Sequence, residues 1–430
     1  MASAAKQGKS RYSGDGGPPP QRVLNLGAVW IHSYPDKFTL PTSPPIKTIR
    51  RMPSTSQAVT IVKPYELEVR EYEIPPLRAG ELLMRIEMSG ICGTDKHTYR
   101  GETTQYGGTA NEQTSPFPLI PGHENVGIVE AVTDGKVDFY GQPIRAGDRI
   151  TMCPDVVCGT CYNCRHIYGY SWCENWQGYG NSYRATEHPL RGGWSEYMIV
   201  IPEAFVYKVP SGLAPELAVY TELMACAFAL DKLKDFSSLP SEGFLTGSSV
   251  LIQGAGPLGI VHLIMARIQG AGNIIVLDEN DYRLRLAKTF GADYTLNVND
   301  TTAEERYDLV RGWTHGRGVD VAIECAGHPK AVPEALQLLR RGGMYLLEGV
   351  FVDMGNISMN PHLIVSKGLR LIGLSNHPFT AYGPSLELML RFQESLPLDQ
   401  FVTHRFPLDK AQTAIDTALG LDCLKVVFTP

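Results

Sequence analysis

The chain has 430 residues, 43% hydrophobic and 20% charged, enough for two or three domains with ample core and incompatible with disorder over the whole chain. Its net charge of -6 argues against generic nucleic-acid binding, which needs a basic footprint. No apolar run is long enough for a membrane span: the best, around Val250–Ala266, is broken by Gln253, Gly254 and His262.

Residues 1–51 hold eight Lys or Arg and two acids, Asp15 and Asp36, so the basic charge is concentrated at the start of the chain. Ser13–Pro20 and Pro41–Pro45 are too rich in Gly, Pro and Ser to build a core. We read residues 1–55 as a disordered basic tail and place the functional start near Met52. Arg and Ser suit a transit peptide, a reading that Asp15 and Asp36 weaken, and no hydrophobic signal core is present; the expected location is cytoplasmic.

From Val59 to Pro210 the texture is β-rich, with strands at Ala58–Lys63, Leu82–Met88 and Val126–Val132 separated by Gly and Pro. From Ser249 strands and helices alternate. Val250–Gln253, Asn273–Leu277, Val319–Glu324 and Met344–Leu347 read as strands. Leu258–Gln269, Arg283–Phe290 and Lys330–Leu339 read as helices, with Arg340 and Arg341 as cations closing the last. That alternation predicts a parallel sheet covered on both faces. Phe401–Pro430 returns to strands around one helix, Leu408–Leu419, so a β-rich domain interrupted by an α/β domain is the simplest architecture.

Gly254-Ala-Gly256-Pro257-Leu258-Gly259 directly follows a strand and opens a helix. Gly254 permits the tight turn, Gly256 the approach of a pyrophosphate and Gly259 close helix packing, while the helix N-terminus offers free N–H groups. The next strand ends at Asp278, 24 residues after Gly254. A carboxylate there accepts hydrogen bonds from ribose hydroxyls and repels a 2′-phosphate, so NAD is expected over NADP, with Arg283 as a further cofactor contact. A Gly-rich packing turn is the bland alternative.

Cys158, Cys161, Cys164 and Cys173 lie within 16 residues. Four thiolates at this spacing suit a closed tetrahedral zinc, hence a structural one. An iron–sulfur cluster is the rival, but the fourth cysteine is distant and is followed by Glu174 rather than proline. A second cluster, Cys92-Gly-Thr94-Asp95-Lys-His97, precedes Gly122-His123-Glu124. Cysteine, histidine and carboxylate are zinc ligands, and Asp95 can orient one of them, although spacing alone does not join these segments. A lone Cys92 is more often a buried small residue, and a lone His123 more often a satisfied core histidine.

Together with Gly192-Gly-Trp-Ser-Glu-Tyr197, these motifs resemble the zinc-dependent medium-chain dehydrogenase/reductase family, the alcohol and polyol dehydrogenases, from about Ala58 to Phe428. The resemblance implies α/β plus β architecture. A GroES-like catalytic domain would span 56–220, with its zinc lobe at 153–175, and a doubly wound Rossmann domain 221–374, before the chain returns to the catalytic domain over 375–430. It implies two zinc ions per chain and NAD. Cys92 and His123 become catalytic zinc ligands, and Glu124 a carboxylate able to enter that shell. Thr221-Glu222-Leu223-Met224 matches the position of the remaining ligand, Glu222, with Cys226 as runner-up. Thr94 would receive the substrate proton and His97 pass it to solvent.

The implied reaction interconverts a secondary alcohol or polyol and its ketone by hydride transfer, zinc acting on the oxygen as a Lewis acid. The polar loop Gly101–Ser115 is compatible with a hydroxylated substrate, and Val350–Pro361 with His362 hints at bulky secondary alcohols. Alternatives are an alcohol or aldehyde dehydrogenase for bulky or primary alcohols, a zinc-free reductase of the same superfamily, and an NAD- and zinc-binding protein without turnover. The expected partners are a small-molecule alcohol or ketone and further copies of the chain, as a homodimer or homotetramer, with no nucleic acid and no membrane.

Overall fold

A computed structural model describes residues 52–430 apart from 106, 109–111, 168, 170–171, 236–242, 351 and 354. Residues 1–51 of the expected basic tail therefore lie outside the described residues, as do parts of the Gly101–Ser115 and Val350–Pro361 segments, whereas the end of that tail is ordered: Ser54 O accepts from Ile74 N at 2.9 Å and Thr55 opens a strand. The first strand, β1, is Thr55–Lys63, beginning three residues before the expected Ala58, and it forms a hairpin with β2, Glu66–Glu73.

The catalytic-side sheet is organised around β3, Leu82–Gly90. Helix α1, Gly93–Arg100, follows directly, then β4, Asn125–Val132, β5, Arg149–Met152, β6, Tyr197–Val200, and β7, Val206–Lys208. One edge of β3 carries β4, β5 and β7 in succession. Its other edge is divided: Leu82–Arg85 pair with β6, while Ser89 and Gly90 pair with Phe428 and Val427 of the last strand. The end of the chain is thereby stitched beside the segment that leads into Cys92.

After helix α2, Thr221–Ala227, the second sheet begins with β8, Val250–Gln253, whose residues are all buried. The order continues α3 Pro257–Ile268, β9 Ile274–Asp278, α4 Asp281–Thr289, β10 Tyr294–Asn297, α5 Ala303–Trp313, β11 Val319–Glu324, α6 Ala331–Leu338, β12 Leu339–Leu347 and β13 Arg370–Gly373. The six strands are parallel in the order β10-β9-β8-β11-β12-β13. Strand order reverses between β8 and β11, and in open α/β sheets ligands bind at that switch point. Arg340 and Arg341 do not close a helix, contrary to expectation. The helix stops at Leu338, and both arginines lie in β12, where Arg340 Nε binds Asp320 Oδ1 at 2.5 Å.

The chain then returns through α7, Tyr382–Phe392, β14, Val402–Phe406, α8, Ala411–Leu419, and β15, Lys425–Phe428. The expected Leu408–Leu419 helix has a 3-10 first turn before α8. The largest core cluster joins α2, α3 and α7 to both sheets, with Tyr220 stacked on Phe401 and Tyr207 on Tyr382. Such rings fix neighbouring segments by area and geometry together. No described helix is long and apolar enough to cross a membrane.

Candidate active site

The turn after β8 is shaped by its glycines. Gly254 has φ +101°, and a Cβ there would press on the backbone of Cys325 and Ala326; at Gly259 a Cβ would overlap the Gly254 carbonyl oxygen. Gly256 differs: a Cβ would meet only the Arg283 guanidinium, at 3.9 Å, so the space before it is open. Gly256 caps α3 without a side-chain hydrogen bond, and Pro257 at the first helical position sacrifices no donor needed elsewhere. The helix N-terminus thus presents unsatisfied N–H groups to that space.

Asp278, at the end of β9, accepts from Ala255 N at 2.6 Å and Asn280 N at 2.9 Å, which fixes its carboxylate beside the turn. Lys96 and Arg283 line the same cavity as Gly256, Pro257 and Leu258. Burial, with Arg283 adding to it, holds the Lys96 ammonium below the usual lysine range. An anion here would relieve that strain, and the open turn fits a dinucleotide pyrophosphate.

The four lobe cysteines have their sulfurs within 4.8 Å of one another. Cys158 and Cys164 are 4.0 Å apart and Cys161 and Cys173 3.9 Å, close to the edge of about 3.8 Å expected for a tetrahedron of zinc–sulfur bonds. Backbone N–H groups of Cys161, Cys164, Glu174 and Asn175 point at these sulfurs. Hydrogen bonds from Thr160 and Asn175 pull the Cys158 thiol down to about 5, favouring thiolate. The lobe fits a closed zinc site.

The second donor set is assembled by the fold. Cys92 caps α1, its N–H donating to Asp95 Oδ2 at 2.8 Å. Asp95 Oδ1 accepts from Gly122 N at 3.2 Å and stands 3.6 Å from His123 Nδ1, so one buried carboxylate ties the two segments together. Donor atoms of Cys92, His123 and Glu124 converge within 4.8 Å. Glu124, however, is fully buried against Lys425, whose Nζ is 2.6 Å from both its oxygens. Burial disfavours the Lys425 ammonium, but the Glu124 charge outweighs it and the pKa is raised.

Glu222 comes from α2. Burial pushes its carboxyl up to about 8. Oε1 is 3.3 Å from His377 Nδ1, while Oε2 is buried without a partner among the described residues. Cys226 follows one turn later, its sulfur 4.0 Å from the same ring nitrogen. His377 Nε2 meets the Tyr382 hydroxyl at 2.7 Å and lies 3.5 Å from Asp155 Oδ2 and 3.6 Å from Cys153 Sγ. Burial holds His377 below the usual histidine range and raises Tyr382, so we assign the tyrosine as donor to Nε2, leaving Nδ1–H toward Glu222.

One cavity of about 530 Å³ is lined by Cys92, Thr94, His97, His123, Glu222, Gly256, Pro257, Leu258 and Arg283, and also by Asp155, Cys226 and His377. Gly254, Gly259, Asp278 and Glu124 stand behind its wall rather than on it. The Glu222 carboxylate converges with Cys226 and His377 rather than with Cys92 and His123, but thiol, imidazole and carboxylate on one cavity are the donor types that zinc takes. His97 sits at a more open position, its Nδ1 2.6 Å from Glu102 Oε2. Sequence reasoning missed His377, Asp155 and Lys425. For Lys425 a signal existed, a single lysine heading the apolar strand Lys425–Phe428; His377 in Asn-His-Pro carries none.

Comparison with known proteins agrees with this geometry. Residues 78–211 match the alcohol dehydrogenase GroES-like domain, and residues 257–390 the zinc-binding dehydrogenase domain. An erythritol/L-threitol dehydrogenase of Mycolicibacterium smegmatis is 30% identical over 88% of this chain and 99% of its own length. An L-threonine 3-dehydrogenase of Thermococcus kodakarensis is 32% identical over 88% of this chain and 99% of its own. The crystal structure of an alcohol dehydrogenase from Thermotoga maritima superposes with a TM-score of 0.79 at 32% identity, covering 87% of this chain and 99% of that one. With a GroES-like sheet, a Rossmann sheet and two zinc-type donor sets on one chain, this protein belongs to the zinc-dependent medium-chain alcohol dehydrogenase family, oxidoreductases acting on CH–OH groups.

Proposed function

We propose that the chain reversibly oxidises a secondary alcohol or polyol to its ketone with NAD, using Cys92, His123 and Glu222 as ligands of a catalytic zinc and the four lobe cysteines for a structural one. The observation that carries this reading is the meeting, in one cavity, of Cys92, His123 and the unpaired Glu222 carboxylate with the open Gly256 turn. When bound, zinc supplies Lewis acidity to the alcohol oxygen and the nicotinamide accepts hydride.

The chain's own residues do the rest. Asp95 holds the Cys92 and His123 segments in register. Lys425 neutralises Glu124, which keeps that carboxylate in reserve beside the ligands. Thr94 takes the substrate proton at Oγ1, and His97, three residues on along α1 and so on the same face, passes it to solvent. Gly254, Gly256, Pro257, Leu258, Gly259 and Arg283 hold the pyrophosphate. Asp278 bears on the adenosine ribose and disfavours a 2′-phosphate.

The test is NADH formation from NAD with secondary alcohols, polyols, β-hydroxy amino acids and primary alcohols, alongside chelator and NADP controls. Turnover of secondary alcohols or polyols, lost with chelator and weak with NADP, is the expected result. Turnover confined to β-hydroxy amino acids or to primary alcohols overturns the substrate class, and equal use of NADP overturns the role of Asp278. We further propose a cytoplasmic homodimer or homotetramer joined along the β13 edge of the parallel sheet, checked by light scattering on the purified chain.

A further inference from the structure

Helix α3 is apolar along its buried stretch Gly259–Ala266 except at His262, which is fully buried. His262 Nε2 stands 2.7 Å from Glu348 Oε2, while His262 Nδ1 and Glu348 Oε1 are both buried without a partner among the described residues. An imidazolium here would bury an Nδ1–H with no acceptor, so we assign the ring as neutral, with Nε2–H donating to the carboxylate. The pair then keeps the negative charge of Glu348. The Glu348 side chain is only 5% exposed, and among the described residues its one ion-pair partner is His262. A buried carboxylate without a cation is costly, and an opposite charge placed near it is correspondingly favoured.

The place of Glu348 in the fold indicates which charge. It directly follows β12, at the carboxyl edge of the parallel sheet. Glu348 N and Gly349 N both donate to Glu324 O of β11, at 3.3 and 2.9 Å, and a Cβ on Gly349 would press on the backbone of Cys325 and Gly327, so the segment is fixed. Glu348 lines the same cavity as Cys92, His123 and Gly256. Burial and then the Glu348 charge raise the Cys325 thiol; burial, Glu222 and Glu348 raise that of Cys226 on α2, so the field of Glu348 reaches across the cavity. A dinucleotide with its pyrophosphate on the Gly256 turn and its adenosine ribose at Asp278 has the β11–β12 side of that turn left for its nicotinamide half, facing the zinc-type donors. The nicotinamide ring of NAD is a cation; that of NADH is neutral.

We propose that Glu348, anchored by His262, sets the preference of the site for the oxidation state of the dinucleotide, its buried charge stabilising the cationic ring of NAD over the neutral ring of NADH. The inference rests on the dehydrogenase reading and deepens it. The carboxylate acts through space and needs no contact with the ring. The attraction is present while NAD is bound and disappears when hydride arrives, so NADH is held less tightly and leaves more readily, a step that often limits turnover.

The experiment measures equilibrium binding of NAD, NADH and ADP-ribose to the zinc-loaded full chain by calorimetry, in the wild type, Glu348→Gln and Glu348→Leu. Glutamine keeps the shape and an acceptor for His262; leucine keeps neither charge nor acceptor. Both variants are expected to bind NAD about tenfold more weakly, the scale of one unit charge lost from a partly buried site. NADH, whose ring is neutral, and ADP-ribose, which has no nicotinamide, should stay within about twofold. Unchanged NAD binding, an equal loss on NAD and NADH, or a loss on all three ligands overturns the inference. A loss confined to Glu348→Leu overturns it as well, since that would mark a hydrogen bond or packing rather than charge. Selective weakening of NAD in a chain that turns over no alcohol retains the inference and sinks the dehydrogenase reading. Alcohol turnover with an unshifted ratio of NAD to NADH affinity sinks the inference alone, so the two failures are told apart.

Discussion

The chain carries two metal-type donor clusters built in opposite ways. The lobe draws its four sulfurs from Cys158–Cys173, a stretch of 16 residues, and backbone N–H groups of the same loop stabilise them. The cavity draws Cys92, His123, Glu222 and His377 from four separate segments, three of those side chains being buried. A local site needs only its loop. A dispersed one needs the whole fold, and the fold must manage the charges it buries: Lys425 pairs with Glu124, while burial pushes Glu222 and His377 toward their neutral forms.

That contrast predicts a crossed pattern, and here the largest effects are expected. Cys92→Ser should cut turnover by at least about a thousandfold, the scale of losing a principal catalytic group, with little change in melting temperature. Cys161→Ser should do the reverse at first hand, losing one zinc per chain and several kcal/mol of stability because lobe metal is folding energy. Metal content, kcat and calorimetry on the two variants decide it. Similar profiles for both would erase the distinction between the clusters.

The next effect belongs to the buried pair. Lys425→Met leaves the Glu124 charge unpaired and should destabilise the chain by about 3–5 kcal/mol in urea denaturation. Adding Glu124→Gln should restore most of that, since removing both charges removes the desolvation cost as well. A double variant no more stable than the single would show that the carboxylate has another partner in the folded chain.

Legibility in the sequence followed the same line between local and dispersed. Val250–Gln253 and Val319–Glu324 were readable to the residue because each is a short, β-branched-rich segment, buried throughout in the first and at all but Asp320 in the second. The glycine turn and the four cysteines were readable because each function is packed into one segment. Ala303–Trp313 went unread although Thr302 and Glu305 form a capping box, because the helix behind it is polar and its outer face is solvated. Arg340 and Arg341 suggested a helix end, but Gly342, at φ +70°, belongs to an extended segment and Arg340 is recruited by Asp320 across the sheet. His377 had no local mark at all: its partners Glu222 and Asp155 are more than 150 residues away, and tertiary contacts such as Tyr382 stacked on Tyr207 and the Tyr207 hydroxyl donating to Phe379 O bring the ring to them.

Smaller effects separate the proton path from the metal shell. Thr94→Val keeps the shape and removes the hydroxyl. It should lower kcat by about a hundredfold, in the range of a lost general acid–base group, with dinucleotide affinity unchanged by fluorescence titration. Unaltered kcat would mean that the proton leaves without Thr94.

His377→Asn probes the finest point of the comparison, because it replaces no lobe cysteine and none of the proposed ligands of the cavity zinc. The imidazole, fixed by Tyr382 on one nitrogen, stands at Glu222 Oε1 and leaves Oε2 free. Partners of this kind orient a ligand and typically account for about 10–100-fold in metal affinity. Chelator competition on His377→Asn should therefore show cavity zinc weakened by that factor while lobe zinc is retained. Loss of both metals together would reveal a folding defect. Retention of both at wild-type affinity would mean that Glu222 is oriented by α2 alone, and the dispersed site would then depend less on the returning chain than its geometry implies.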